Sequence, residues 1–434
     1  MHRMVLGALA ILVLHAVGAN PAAAEAESIP NLSVYEQEVA ALSETPNVRK
    51  ALDFFIAEDK RNVDDLIELT EVAAPPFEES TRAALFAEML RKAGLEDISI
   101  DDAGNVLARR PGLKRNRTVA LVAHLDTVFP PETDVSVRRE GERLIAPGVG
   151  DNTRGLVAVL SIARAMETFA LQTDADILFV GSVGEEGLGD LRGVKHLFRK
   201  GGPKIDAFIA VDGGSDERVV YRAVGSHRYK VTFKGPGGHS WGAFGTANPH
   251  HAQARAIALF TEQAQPVVAS GSKTTFSVGR IGGGTSINSI PFDSWFEIDM
   301  RSGDQTKLDE IDGVLHQAIA AALEAENLHR SRGAPLTVII EPVGKRPAGA
   351  TPLSAPLIGR AAAALKTVGL GIELSESSTD SNIPMALGVP AITISRGGES
   401  GNSHSPDEWW ENKDSHLALQ SGLLLLLSEA GMSE

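Results

Sequence analysis

Apolar residues in this chain recur with two different periods, and the switch between them marks its organisation. From Asn47 to Lys92 they fall at helical spacing, with acidic and basic faces and an interruption at Ala73-Ala-Pro-Pro-Phe. Asn105-Val-Leu-Ala-Arg and Thr118-Val-Ala-Leu-Val-Ala-His predict strands. Leu156 to Phe169 predicts a helix, and Asp176 to Val183 another strand. Strands alternating with helices predict an α/β unit, a mixed and mostly parallel sheet with helices on both faces. Functional residues then belong at the strand ends. Residues 25–46 are polar and read as an irregular lead-in.

After Asp212 the texture changes. Val219-Val-Tyr-Arg-Ala and His227-Arg-Tyr-Lys-Val-Thr-Phe alternate with the two-residue period of half-exposed antiparallel strands. A helix is expected over Pro249–Ala264, strands over Thr274–Ile281 and Ser294–Arg301, a helix over Gln305–Glu326 and a strand over Ala334–Glu341. This predicts an inserted α+β unit, an antiparallel sheet with two helices on one face, over residues 217–345. The first unit, residues 25–216, resumes over 346–434 with a helix at Thr351–Val368, a strand at Ala391–Ser395 and a helix at Glu411–Leu427.

A length of 434 residues suits two such units. The apolar fraction of 43% and the charged fraction of 22% are those of a soluble globular protein. A net charge of −15, with no basic block to offset it, argues against nucleic acid as a partner. Cysteine is absent, which removes thiolate ligands, a cysteine nucleophile and disulfides. Residues 1–24 read as a secretory signal: a weakly basic head at His2 and Arg3, an apolar run from Val5 to Leu14, and Ala22-Ala23-Ala24 as the cleavage pattern. Export to a periplasm or the exterior is the expectation, with no stable membrane insertion after processing; the alternative reading is an uncleaved N-terminal anchor.

Carboxylates and histidines gather where the strands are expected to end. His124 and Asp126 close one apolar run, Glu185 and Glu186 another, and Asp212 a third. Asp151 follows Pro147-Gly-Val-Gly, and His404 stands in Gly401-Asn-Ser-His-Ser-Pro. Residues two apart on a strand face the same way, so His124 and Asp126 converge. A metal-bound histidine usually has its second nitrogen held by a carboxylate or carbonyl, which gives His124 to a metal and Asp126 to the ring. Asp151 reads either as a helix N-cap or as a carboxylate bridging two ions. Adjacent acids at a buried strand end repel unless cations or a proton neutralise them. One of Glu185 and Glu186 can ligate while the other serves as general base. Asp212 and His404 also fit a turn residue and a surface loop histidine. Together the set suits a pair of divalent ions, zinc foremost, with cobalt or manganese as substitutes.

In order and setting these motifs resemble the zinc-dependent metallopeptidase and amidohydrolase family of glutamate carboxypeptidase, peptidase T, aminoacylase and succinyl-diaminopimelate desuccinylase. The resemblance covers nearly all of residues 45–430. It implies a di-zinc exopeptidase-type catalytic domain, with His124, Asp151, Glu186, Asp212 and His404 as ligands of two metal ions. It makes Glu185 the general base and Asp126 the partner of the first histidine. The inserted unit resembles the family's lid and dimerisation domain. Gly235-Pro-Gly-Gly-His-Ser matches the segment whose histidine, here His239, reaches a neighbouring active site and stabilises an oxyanion, implying a homodimer. Thr285-Ser-Ile-Asn-Ser-Ile-Pro and Asp299-Met-Arg match segments whose Asn288 and Arg301 meet substrate. Departures occur at Asn152-Thr153-Arg154 and at Ser378-Thr379-Asp380.

The expected reaction is hydrolysis of an amide bond in a small peptide or an N-acyl amino acid. The alternatives are a deacylase in place of a peptidase, or an inactive binding module on the same fold. The last would be signalled by loss of a ligand or of the base, and all are present.

Overall fold

The computed structural model describes residues 29–432. The expected signal segment, residues 1–24, lies outside them. Among the described residues no helix is long and apolar enough to cross a membrane.

Thr118–His124 is buried at all seven positions, because helices cover both sides of its sheet. Val119, Leu121 and Ala123 pack into one layer and Ala120 and Val122 into the other. That two-sided burial is why the run is continuously apolar rather than alternating. The strand pairs in parallel with Asp176–Ser182 on one side and Ala207–Asp212 on the other, and Ala391–Ser395 joins in parallel beyond the latter. Val106–Arg110 and Asp97–Ile100 extend one edge antiparallel. Arg218–Ala223 extends the other, completing with Gly349–Ala350 and Glu373–Ser377 a nine-stranded sheet.

Helices Pro46–Ala57, Asp59–Thr70, Ser80–Lys92, Gly155–Thr168, Pro356–Thr367 and His416–Ala430 supply one covering layer. The short helices Arg192–Leu197 and Asn382–Ala386 supply part of the other. The expected α/β class is therefore correct.

The inserted unit is a four-stranded antiparallel sheet in the order Thr274–Gly283, Asp293–Ser302, Gly225–Lys234, Thr337–Arg346. Along Asp293–Ser302 burial alternates strictly, and Phe296, Ile298 and Met300 pack with Phe260, Ile311 and Leu315 of the helices Pro249–Gln263 and Gln305–His329. Asn248 and Asp304 cap these helices through their side chains, contributing about 1 kcal/mol each. A second four-stranded antiparallel sheet runs in the order Glu399–Gly401, Trp409–Glu411, Arg143–Ile145, Arg138–Glu140.

Three expectations are corrected. The lead-in contains a helix, Leu32–Ser43. Val39, Tyr35 and Leu42 pack on the main core, and Glu36 and Glu38 pair with Lys366 and Arg360; such tertiary contacts stabilise a segment whose own periodicity is weak. Arg218–Ala223 belongs to the main sheet, with Val219 and Val220 paired to Ile394 and Thr393, so the chain enters the antiparallel unit only at Gly225 and leaves it at Arg346. The last helix begins at His416, because Trp409–Glu411 pairs as a strand with Arg143–Ile145.

Candidate metal centre and active cleft

The carboxyl ends of the four parallel strands deliver most of the charged residues. His124 and Asp212 end their strands, Glu185 and Glu186 follow Ser182, and Arg396 follows Ser395. Asp151 arrives in the turn Val149–Arg154, where it makes no side-chain capping bond to the helix that follows. The N-cap reading is thereby dismissed. Asn152 turns inward and donates to the Val211 carbonyl at 2.8 Å. Gly155 leaves room for it, since a Cβ there would lie 2.2 Å from Asn152 Oδ1.

These side chains converge. Ligand atoms of His124, Asp151 and Asp212 lie within 4.8 Å of one another, as do those of Asp151, Glu186 and His404, and those of His124, Glu185 and Glu186. Asp151 joins the first two sets with different oxygens: Oδ1 is 3.3 Å from His124 Nε2, and Oδ2 is 3.4 Å from His404 Nε2. His404 Nε2 is also 3.0 Å from Glu186 Oε1. Two nitrogen-and-oxygen triads sharing one carboxylate fit two divalent cations.

Asp126 does more than orient an imidazole. His124 Nδ1 is 3.0 Å from the Asp126 backbone carbonyl and 3.6 Å from its carboxylate. The two carboxylate oxygens accept the N–H groups of Glu185 at 2.9 Å and Glu186 at 2.8 Å. Hydrogen bonds to a charged acceptor contribute about 1.5–3 kcal/mol each. The residue thus fixes the glutamate pair as firmly as the ring. Donation from Nδ1 leaves His124 Nε2 free to ligate.

The electrostatics call for cations. Burial pushes Glu185 well above the usual carboxylate range, against the pull of the Arg346 guanidinium. Burial, reinforced by the charge of Asp151, raises Asp212. Burial would raise Asp151 too, but hydrogen bonds from His124 and His404 hold it well below its ordinary value. Hydrogen bonding to Asp151 and then Glu186 pushes His404 up to about 10. Protons on histidine thus balance charge where a metal would. A metal entering at neutral pH must displace that proton. Metal uptake at pH 7 is expected to release protons, and apparent affinity to rise as pH climbs towards 10 and the His404 proton is lost. Calorimetry in buffers of differing ionisation enthalpy reads both; proton-neutral uptake would contradict it.

A cleft of about 1260 Å³ opens over the centre, lined by Asp151, Glu185, Glu186, Asp212 and His404 and reaching Arg228, Asp299 and Arg301 on the antiparallel unit. Arg301 Nε and Arg228 Nε donate to opposite oxygens of Asp299, at 2.7 and 2.8 Å. His239 and Asn288 do not line this cleft. They sit exposed where Gly238–His239 pairs with Ser289–Ile290. Three further residues escaped sequence reasoning, and a fourth, Asp380, was noted only within a departure from the family pattern. Arg346 Nη1 donates to Glu185 Oε1 at 3.0 Å. Buried Arg396 lies 3.6 Å from both Asp151 and Asp212. Asp380, which burial raises to about 6, accepts from Ser182, and Glu408 underlies the Asp151 turn. The signals were faint: an acid in Pro406-Asp-Glu, and basic residues next to predicted strands.

A two-triad centre at the strand ends of such a sheet, beneath a cleft shared with an inserted antiparallel unit, defines a metal-dependent hydrolase. The chain belongs to the peptidase family M20/M25/M40, which residues 120–428 match. The fold is that of aminopeptidase PepT from Bacillus cereus (TM-score 0.67, 19% identity, covering 86% of this chain and 97% of that one). It is also that of the di-peptidase Dug1p from Saccharomyces cerevisiae (0.68, 14%, 89% and 99%) and of human carnosine dipeptidase 1 (0.65, 13%, 88% and 99%). No curated protein matches the sequence.

Proposed function

We propose that this hydrolase cleaves an amide bond in small peptides or N-acyl amino acids at a two-metal centre, with Glu185 as general base. The observation that carries this reading is Asp151 shared by two ligand triads, with Glu185 beside both His124 and Glu186. Zinc suits the donor set of histidine nitrogens and carboxylate oxygens, and once bound would lower the pKa of water and polarise the scissile carbonyl. Glu185 takes the proton of the attacking water and returns it to the departing amine. Asp126 holds the backbone of that base in place, and Arg346 holds its carboxylate. Arg301, half exposed in the cleft, suits a substrate carboxylate.

We further propose a homodimer built through the antiparallel unit. Around His239 and Asn288, Trp241, Phe244 and Ile287 are 89%, 83% and 104% exposed. Large apolar side chains clustered on a surface mark an association site. His239, outside the cleft of its own chain, would serve the cleft of a second copy. The N-terminal signal pattern supports export to a periplasm or the exterior. The aminopeptidase and dipeptidases sharing this fold favour peptides as substrates; N-acyl amino acids require the same bond cleavage.

Three matched substrates test the reading on the zinc-loaded protein: a free dipeptide, its N-acetylated form and its C-terminal amide. Loss of cleavage on acetylation alone would identify an amine-directed peptidase. Loss on amidation alone would identify carboxylate capture through Arg301, as a carboxypeptidase or deacylase needs. Cleavage of none, nor of longer N-acyl amino acids, with two metals bound, would overturn the catalytic reading in favour of a binding module.

A further inference from the structure

Glu408 lies four residues beyond His404 in the sequence and is completely buried. Its Oε1 accepts the N–H groups of Gly150 at 2.9 Å and Asp151 at 2.6 Å, and its Oε2 accepts that of Gly148 at 3.0 Å. Its backbone carbonyl accepts from Ala146 at 3.0 Å, and its own N–H donates to the Ser405 carbonyl at 3.0 Å. One residue therefore ties the turn that presents Asp151 to the loop that presents His404. The pairing of Trp409–Glu411 with Arg143–Ile145 continues the same seam on both segments.

The two triads depend on this seam unequally. His124 and Asp212 are set by parallel strands, the first also by the Asp126 carbonyl and the second by the N–H of Gly213 at 2.6 Å. His404 is more than half exposed, lies on a loop at a φ of 66°, and meets the centre only through Asp151 and Glu186. Its distance from Asp151 is decided by how the two loops are fastened.

We propose that Glu408 is a positioning residue that fixes Asp151 and His404 relative to each other, and thereby sets metal affinity at the triad Asp151–Glu186–His404 more than at His124–Asp151–Asp212. This rests on the two-metal reading above. Groups that orient ligands in this manner typically change metal affinity by about 10–100-fold when replaced.

The test titrates metal-free wild type and Glu408→Gln with Zn2+ against a chromophoric chelator, following thermal unfolding of both metal-free proteins. Glutamine keeps the size but turns N–H donors towards backbone N–H donors. Two ions are expected on the wild type. In Glu408→Gln one ion should bind about 10–100-fold more weakly while the other keeps close to its wild-type affinity. Glu408→Asp, which retains the charged acceptor, should recover part of the loss, and it carries the test alone if the glutamine variant does not fold. Both ions binding the variants with wild-type affinity would overturn the proposal. So would an equal loss at both sites that tracks lowered thermal stability, the mark of a merely structural role. A wild-type protein that takes up a single ion would overturn the two-metal reading itself, and this proposal with it.

Discussion

Glu185→Gln is expected to retain its metals and lose about 10²–10⁴ in turnover. Glutamine matches the shape of glutamate and can still meet Arg346, so the packing around residue 185 survives. It cannot take a proton from water. The backbone N–H of residue 185 still reaches Asp126 Oδ1, so Glu186 keeps its place in the candidate triad. Single-turnover kinetics beside a metal assay separate the two effects. A fully active, metal-replete variant would show that another group is the base. Arg346 sharpens the expectation: it binds the carboxylate from the last residue of the antiparallel unit, so movement of that unit about its joint would be felt at the base.

His239→Ala is expected to cost about 10²–10³ in kcat, the scale of removing one oxyanion donor, with substrate binding changed less. Its effect should be felt in trans. His239 is exposed among Trp241, Phe244 and Ile287 and absent from the cleft lining of its own chain. Mixing His239→Ala with Glu185→Gln chains under conditions of subunit exchange should restore activity that neither variant has alone. Each mixed dimer would hold one site with an intact base and an intact histidine from the partner. Failure of the mixture, with dimers present by light scattering, would confine His239 to its own chain or remove it from the reaction.

The main sheet was legible in the sequence because burial on both faces turns a strand into an unbroken apolar run, as at Val119–Ala123. The antiparallel unit was legible for the opposite reason, the two-residue alternation along His227–Phe233. Arg218–Ala223 was misplaced because an outer strand of the main sheet shows nearly the same half-buried pattern, and only its partners Ala391–Ser395, Glu373–Ser377 and Gly349–Ala350 distinguish the two. Leu32–Ser43 escaped notice because its stability comes from contacts with the far end of the chain. The side chains brought together at the centre were readable as charged residues closing apolar runs. Glu408, Arg346 and Arg396 were not, since each acts through atoms far away in sequence, and Glu408 mainly through backbone amides that carry no letter. His239 and Asn288 rest on resemblance, for nothing in their local pattern sets them apart from an ordinary glycine-rich turn.

Ala391–Ser395 lies between Ala207–Asp212 and Arg218–Ala223 in the sheet, although it is among the last segments of the chain to be made. Until a ribosome has delivered it, those two neighbours each present an unpaired strand edge, and pairing over such sequence distances is slow. The antiparallel unit, whose strands and helices are all encoded earlier and contiguously, has no such wait. The candidate metal centre draws on the same late stretch, since His404 follows Ala391–Ser395, so its full set of side chains exists only once the polypeptide is nearly complete.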